Sequence, residues 1–236
     1  MAPSGPELTV VLPVYNEGEV IGEVLEDWTG ALERLHIAFE IHAYNDGSKD
    51  NTLEILNTYR ASNKNIIVHD KNNTGHGPTI LLGYRENSHA EWVFQVDSDN
   101  EITTEFFAEF WERRKEFDFL IGRRVERQSP LSRRFMTSAA RIIITVLYGE
   151  GIFDVNCPYR LMRGQLLKEL ISEIPPHLFA PNIILSGLVC KNNYRILEIP
   201  VVHSQRATGK VSIQKLKLLK AAVRALRQTI LFRFRV

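Results

Sequence analysis

The chain has 236 residues, of which 44% are hydrophobic, and its formal net charge is +1. That is enough apolar material for one sizeable core, so a single globular unit is expected. The two cysteines, Cys157 and Cys190, have no metal-ligand spacing and exclude a disulfide framework. No uninterrupted apolar segment approaches the ~18 residues that cross a bilayer, and the N-terminus lacks the apolar stretch of a signal peptide. A reducing, cytoplasmic setting with at most peripheral membrane contact is therefore expected.

Apolar runs alternate with helical patterns along the first half of the chain. The run at 8–13 is typical of a strand covered on both faces, and apolar residues at helical spacing follow it from 17 to 35. The alternation recurs, which predicts right-handed crossovers between mainly parallel strands and a ligand site beyond their carboxyl ends. Strands are predicted at 8–13, 39–44, 66–68, 92–96, 117–122 and 194–202, and helices at 17–35, 51–59, 78–86 and 103–115.

The second half of the chain is basic. Residues 131–148 mix arginines with apolar residues, which predicts either a basic amphipathic helix or an ordinary half-buried one. Three prolines between 175 and 181 mark a predicted loop. From residue 199 to the end there are nine lysines and arginines and no acid, whereas residues 7–35 carry seven acids and one arginine. The last helix is therefore expected to be basic and amphipathic. It could lie on anionic lipid headgroups, and a calmodulin-like partner is an alternative for any basic helix.

The fourth predicted strand ends in three carboxylates within five positions, Asp97, Asp99 and Glu101. Carboxylates so close together repel one another unless a cation or strong donors lie among them, and Mg²⁺ prefers oxygen ligands of this kind. The alternative is a solvated turn in which Asp99 or Asn100 caps the helix that begins near Thr103. On these residues alone the two interpretations are equally good.

Seven short motifs follow one another in a fixed order, most of them at predicted strand ends. They are Pro13-Val14-Tyr15-Asn16-Glu17, Asn45-Asp46-Gly47-Ser48, Asn73-Thr74-Gly75-His76-Gly77, Asp97-Ser98-Asp99, Gly122-Arg123-Arg124, the segment 154–160, and Arg206 with Gly209. With these motifs, residues 8–212 resemble a family 2 glycosyltransferase of the GT-A fold, and more narrowly the dolichyl- or polyprenyl-phosphate mannose or glucose synthases. The resemblance implies an α/β, Rossmann-like domain over 1–212, with a mainly parallel sheet flanked by helices, and a basic amphipathic C-terminal helix over 213–236.

The resemblance implies a donor site built from the strand ends. In this family the Pro-x-Tyr-Asn-Glu stretch and the acidic pair after the second strand hold the nucleoside of a GDP- or UDP-linked sugar. The corresponding residues are Pro13, Tyr15, Glu17, Asn45 and Asp46. Asn45 stands where many relatives carry an aspartate, and an amide offers donors as well as an acceptor. Gly75, in the Gly-His-Gly loop, is expected to let the backbone approach the ligand closely.

A divalent cation, Mg²⁺ or Mn²⁺, is implied at the carboxylates. Asp99 and Glu101 are the expected metal ligands, and Asp97 is expected to contact the ribose or the sugar. The metal would neutralise the charge that grows on the departing nucleoside diphosphate. The guanidinium fork matches phosphate oxygens. The candidates for binding the donor and acceptor phosphates are Arg124, Arg133, Arg134 and Arg206.

The residue at position 182 bears on the choice of acceptor. Inverting transfer to a hydroxyl needs a general base, whereas a phosphate monoester is already anionic near neutrality. Relatives commonly place a glutamate where Asn182 stands, and Asp154 is the remaining carboxylate that could serve as a base. A lipid phosphate acceptor is therefore favoured. Against it stands Ser212, which lies one position beyond the serine of the synthase motif.

The sequence thus predicts a metal-dependent inverting glycosyltransferase that moves a sugar from a nucleotide sugar to a polyprenyl phosphate at the cytoplasmic face of a membrane. One alternative is transfer to a hydroxyl acceptor in surface-polysaccharide synthesis. Another is a nucleotide-sugar-binding protein without turnover, for which Asn45 and Asn182 are the only hints. Nucleic acid is not an expected partner, because the aromatic platforms of single-strand binders are not evident.

Overall fold

A seven-stranded sheet forms the centre of the protein. The computed structural model describes residues 5–125, 141–142, 144–203 and 215–234. The strands, in the spatial order β3-β2-β1-β4-β6-β5-β7, are β1 Leu8–Val14, β2 Phe39–Asn45, β3 Ile66–Asp70, β4 Trp92–Gln95, β5 Phe119–Val125, β6 Arg160–Arg163 and β7 Ile196–Val202. All the pairings are parallel except those of β6, which runs antiparallel to both β4 and β5. The predicted mainly parallel sheet is confirmed.

The central strand β1 is buried along its whole length, as its unbroken apolar run predicts. It pairs in parallel with β2 and β4, with Val14 opposite Asn45 and Val11 opposite Gln95. Because these strands run in the same direction, the segments that leave their carboxyl ends emerge at one edge of the sheet. All the motifs that follow β1, β2 and β4 therefore lie near one another.

Helices cover both faces of the sheet. They are α1 Ile21–Arg34, α2 Thr52–Ser62, α3 His76–Asn87, α4 Phe107–Arg113, α5 Gly164–Glu173, α6 Pro181–Lys191 and α7 Lys215–Arg233; residues 141–142 and 144–148 are also helical. Helix α1 begins later than predicted, because the backbone N–H groups of Val20 and Ile21 both donate to the carbonyl of Glu17 in a turn. Its buried stripe includes Trp28, which packs edge-on against Phe107.

The loop predicted from the prolines at 175–181 is present at 174–180, between α5 and α6. Pro181 occupies the first turn of α6. A backbone N–H there would have no acceptor within the helix, so proline loses no hydrogen bond. The following residues, up to Cys190, are all buried, so α6 lacks the polar face that marks an amphipathic helix. For this reason the sequence shows no amphipathic helical pattern over α6.

The C-terminal helix α7 packs on the domain through its second half. Thr229 and Phe232 are buried, and the carbonyl of Thr229 accepts a hydrogen bond from the Tyr148 hydroxyl at 3.1 Å. Arg233 Nε donates to the carbonyl of Leu147 at 2.7 Å. Lys220, Arg224 and Arg227 are exposed. Among the described helices, none is long and apolar enough to span a bilayer.

Two histidines pair between β2 and β3, under the end of α3. His42 Nε2 donates to Glu40, so its Nδ1 accepts the hydrogen bond from His69 Nε2, at 2.9 Å. The ring of His69 stacks on that of Tyr44, whose hydroxyl donates to Glu86. Burial lowers the pKa of His42, although Glu40 opposes this, and burial together with His42 lowers the pKa of His69. Glu86 raises the pKa of both rings, and His89 lowers that of His42.

This pair predicts a pH-dependent stability. Because both histidines bind protons less readily in the folded state than when unfolded, their contribution is present above an unfolded pKa near 6.5 and is lost as pH falls below it. The free energy of unfolding, measured by urea titration, should therefore drop between pH 7.5 and 5.5. It should drop less in a His42→Gln variant. A variant of the exposed His177, His177→Gln, serves as the control and should keep the wild-type slope.

Candidate active site

The three carboxylates after β4 line one small cavity. Asp97, Asp99 and Glu101 surround a volume of about 30 Å³ together with Arg124 from β5 and His203 from the end of β7. Asn100 adopts a left-handed conformation, with φ of 55°, which turns the chain so that Asp99 and Glu101 can share the cavity wall. A volume of this size holds about one water molecule or ion.

The helix-cap interpretation of the carboxylates does not hold. Asp99 accepts a hydrogen bond from the backbone N–H of Glu101 at 3.2 Å, which is a local turn. The next helical segment is the 3₁₀ turn Thr104–Phe106, and its N-cap residue, Thr103, makes no side-chain capping bond. Asp99 therefore faces the cavity rather than the start of a helix.

His203 is a member of this cavity that the sequence analysis missed. Its Nε2 lies 2.7 Å from Glu101 Oε2, and its side chain is 11% exposed. It stands at the end of β7, more than 100 residues from the carboxylates in the chain. The only sequence signal was a histidine three residues before Arg206.

Arg124 and Asp154 form a buried bidentate ion pair. Arg124 Nε and Nη2 donate to the two carboxylate oxygens at 2.7 and 2.8 Å, and the backbone N–H of Asp154 donates to Glu198. Burial alone would lower the pKa of Arg124, but the hydrogen bonds and charge of Asp154 raise it above its ordinary value. The candidate phosphate-binding arginine and the candidate base are thus held by each other.

Asp46, at the end of β2, organises the loop before α3. Its carboxylate pairs with Lys71 and accepts the backbone N–H groups of Thr74 and Gly75 at 2.8 and 2.9 Å. Burial raises the pKa of Asp46, but Lys71 and the two N–H groups outweigh this and hold it below its usual range. Lys71 had no signal in the sequence.

Asn45 uses both the donor and the acceptor of its amide in hydrogen bonds within the protein. Its Nδ2 donates to Asp70 at 2.7 Å, and its Oδ1 accepts from the backbone N–H of Ser48 at 3.3 Å. An aspartate at position 45 would face the carboxylate of Asp70 without a donor between them. The substitution relative to the family pattern is therefore matched to Asp70.

The first motif of the chain lies beside the second. Pro13 is buried in β1, Glu17 is half-buried, and its backbone N–H donates to Thr52 Oγ1 at 2.9 Å. Tyr15 is 42% exposed, so its ring is available at the carboxyl edge of the sheet. A direct contact of these residues with a nucleoside remains a prediction.

The two glycines around His76 have different roles. Gly75 has φ of +94° and open space where a Cβ would lie, so the backbone conformation accounts for the glycine. At Gly77 a Cβ would lie only 2.3 Å from the carbonyl oxygen of Leu178 and 2.4 Å from that of Phe179. The close approach at Gly77 is therefore to the protein's own backbone before α6.

Three predicted phosphate-binding residues, Arg133, Arg134 and Arg206, lie outside the described residues. The described ones come together in two groups. Asp97, Asp99, Glu101, Arg124 and Asp154 form one group at the ends of β4 and β5, and Pro13, Tyr15, Glu17, Asn45, Asp46 and Gly75 form the other at the ends of β1 and β2.

The donor set at the carboxylate cavity fits a hard divalent cation. Among the described residues, no three His, Cys, Asp or Glu side chains are already gathered into a metal site. Mg²⁺, however, is commonly bound by one or two protein carboxylates together with substrate phosphates and water. Asp99 and Glu101 meet that requirement, because both line the same ion-sized cavity.

The sheet, with an Asp-x-Asp turn at its carboxyl edge, has the arrangement of a GT-A glycosyltransferase. The glucosyl-3-phosphoglycerate synthase of Mycobacterium tuberculosis, solved with Mn²⁺, uridine diphosphate and glucosyl-3-phosphoglycerate, superimposes with a TM-score of 0.69. That match covers 97% of this chain and 80% of the synthase at 17% identity, and it shows the shared fold. The chain belongs to glycosyl transferase family 2, whose sequence pattern matches residues 9–171.

Among the curated relatives are two kinds of polyprenyl-phosphate sugar transferase. A dolichyl-phosphate beta-glucosyltransferase of Trichomonas vaginalis is 26% identical over 98% of this chain and 73% of its own length. An undecaprenyl-phosphate 4-deoxy-4-formamido-L-arabinose transferase of Pseudomonas aeruginosa is 28% identical over 90% of this chain. The match spans only 62% of the bacterial relative. The predicted resemblance to this group is confirmed.

The buried Arg124–Asp154 pair predicts a large stability effect. Removal of one partner leaves the other charge buried and uncompensated, which costs about 3–5 kcal/mol. Asp154→Ala should therefore lower the free energy of unfolding by that amount in a urea titration. The exposed pair Arg113–Glu116 is the matched control, and Glu116→Ala should cost less than about 1 kcal/mol. Equal losses in the two variants would contradict the assignment of a buried pair.

Proposed function

We propose that the protein is a divalent-metal-dependent, inverting glycosyltransferase that moves a sugar from a nucleotide sugar to a polyprenyl phosphate. The observation that carries the proposal is the cavity at the end of β4, which Asp97, Asp99 and Glu101 line together with Arg124. Family membership supplies the reaction class, and the polyprenyl-phosphate relatives support the acceptor. The base and the sugar stay unassigned.

The reaction is a displacement at the anomeric carbon. A phosphate oxygen of the acceptor attacks that carbon, its bond to the nucleoside diphosphate breaks, and the diphosphate leaves with the electron pair. Asp97 would orient the donor, and the guanidinium of Arg124, whose charge is paired with Asp154, would lie beside it. Asp99 and Glu101 would hold Mg²⁺ or Mn²⁺, which would supply positive charge to the departing diphosphate.

Neither of the two positions considered for a general base suits the activation of a hydroxyl. Asn182 is 4% exposed and is an amide, which accepts no proton at physiological pH. Asp154 is held in a bidentate pair by Arg124, and an adjacent cation makes a carboxylate a weaker base. A phosphate acceptor needs no such base, because its second pKa lies around 6. The geometry of Asp154 therefore favours a phosphate over a hydroxyl.

A larger cleft beside Asp154 suits an apolar acceptor. Its volume is about 610 Å³, within the usual range for ligand clefts. The exposed ring of Phe153 lies between Arg141, 4.0 Å from the ring centroid, and Arg123, at 5.5 Å. The described residues that line it are Arg123, Arg141, Ile142, Thr145, Val146, Glu150, Gly151, Ile152, Phe153 and Glu198. Isoprene units of a lipid would pack on its apolar side chains, with the phosphate directed toward the arginines.

The metal assignment predicts the effect of one substitution. Asp99→Ala should lower sugar transfer to a polyprenyl phosphate at least 100-fold, because it removes a proposed metal ligand. Transfer is measured with UDP-glucose, UDP-N-acetylglucosamine and GDP-mannose, each with Mg²⁺ or Mn²⁺. The exposed acid Asp27 provides the control, and Asp27→Ala should retain activity. Unchanged transfer by Asp99→Ala would contradict the assignment of Asp99 as a metal ligand.

The same assay separates the remaining functions. Transfer to soluble sugars but not to the lipid phosphate would select a hydroxyl acceptor. Binding of a nucleotide sugar without transfer or hydrolysis would indicate a protein that has lost turnover.

Membrane attachment through α7 is the second part of the proposal. The exposed cations Lys220, Arg224 and Arg227 lie beside exposed apolar side chains such as Val223 and Leu231. Each cation near an anionic surface contributes about 1 kcal/mol.

The triple variant Lys220→Ala/Arg224→Ala/Arg227→Ala should therefore bind phosphatidylglycerol vesicles roughly 100-fold more weakly in a flotation assay. A triple variant of exposed cations on other elements, Arg60→Ala/Lys64→Ala/Lys115→Ala, is the control and should bind as the wild type does. Equal weakening by both variants would mean that net charge, and not α7, attracts the vesicles.

A further inference from the structure

Three buried polar side chains that no part of the proposed reaction uses are connected beneath the carboxylate cavity. Tyr84, in the middle of α3, is fully buried, and its hydroxyl lies 2.6 Å from Gln95 Oε1. The Oδ1 atom of Asn182, at the start of α6, lies 3.1 Å from the same hydroxyl. Gln95 is also fully buried and ends β4, two residues before Asp97.

The hydrogen bonds have a defined direction. A tyrosine hydroxyl has one hydrogen, and it goes to the nearer oxygen, that of Gln95. Because Gln95 accepts through Oε1, its Nε2 is directed at Asp97 Oδ1, 3.4 Å away. The hydroxyl oxygen can still accept one hydrogen bond. The Asn182 amide donates it when the amide is turned so that Nδ2, in place of Oδ1, faces Tyr84. Burial raises the pKa of Tyr84 above its usual range, so the hydroxyl keeps its hydrogen.

The far end of the chain of contacts is anchored by a buried cation. Arg160, in β6, is fully buried, and its guanidinium donates to the backbone carbonyls of Cys157 and Asn182. The bond to Asn182 holds the backbone of that residue in the first turn of α6. At the near end, His76 Nε2 lies 3.6 Å from the same Asp97 oxygen that faces Gln95.

We propose that Tyr84 and Gln95, completed by Asn182, are positioning residues that orient Asp97 toward the nucleotide sugar. The inference rests on the proposed function, because it assumes that Asp97 contacts the donor. Without the tyrosine hydroxyl, the Gln95 amide is free to rotate, and Asp97 loses the donor that selects its rotamer. Removal of a group that orients a metal ligand typically costs about 10–100-fold in affinity or activity, and an effect at the lower end of that range is expected for Asp97.

The test compares nucleotide-sugar affinity in a set of single and double variants. The dissociation constant is measured calorimetrically with Mn²⁺ for whichever of UDP-glucose, UDP-N-acetylglucosamine and GDP-mannose the wild type binds. Tyr84→Phe keeps the ring and should weaken binding about 10-fold. Gln95→Met should weaken it similarly, and the double variant should be no worse than either single one. In an Asp97→Asn background, Tyr84→Phe should have no further effect.

Tyr148→Phe is the matched control. It removes another tyrosine hydroxyl that donates inside the protein, to the carbonyl of Thr229, and it should leave donor affinity unchanged. If Tyr84→Phe fails to fold, the Gln95→Met comparison in the wild-type and Asp97→Asn backgrounds decides the question alone.

Each outcome has one meaning. If Tyr84→Phe binds as tightly as Tyr148→Phe while Asp97→Asn binds weakly, the positioning role is overturned and the proposed function stands. The role is also overturned if Tyr84→Phe weakens binding equally with and without Asp97. If the wild type binds neither these nucleotide sugars nor UDP or GDP alone, the proposed function fails, and the inference falls with it.

Discussion

The parallel pairing of β1 with both β2 and β4 is the constraint on which the site depends. It brings the residues after three separate strands to one edge, so that Tyr15, Asp46 and Asp97 emerge together. A shift of one residue in either register would turn every side chain of a strand to the opposite face. The buried apolar runs prevent such a shift, since a shifted strand would point its apolar residues at the wrong layer. The chemistry of the edge is thus positioned by packing far from it.

The parts of the fold that were predictable share one physical property, which is an apolar pattern strong enough to be read locally. The strands β1 to β4 and the helices between them were found in this way. Strand β6 was missed, because it has four residues and two of them are arginines. Arg160 is buried there with its guanidinium donating to the backbone carbonyls of Cys157, three residues earlier, and Asn182, in α6. A strand pattern carries no sign of such partners.

The site shows the same division. Asp97, Asp99 and Glu101 could be predicted because their spacing carries information within five residues. His203 and Tyr84 could not, since His203 reaches the cavity from the end of β7 and Tyr84 contacts Gln95 from α3, and the fold alone brings these elements close. The ion pair between Arg124 and Asp154 could not be predicted either, although both residues were named as candidates. A motif identifies the residue types that gather at an edge, and the tertiary structure decides which of them hold each other.

The contact at Gly77 limits how this sequence can vary. The carbonyl oxygens of Leu178 and Phe179 occupy the space of a side chain at that position, so even a methyl group would force the start of α3 away from the start of α6. Those two helix starts carry His76, near Asp97, and Asn182, near Tyr84. A random library of variants should therefore accept glycine alone at position 77, whereas the neighbouring exposed His76 tolerates replacement of its side chain without a steric penalty.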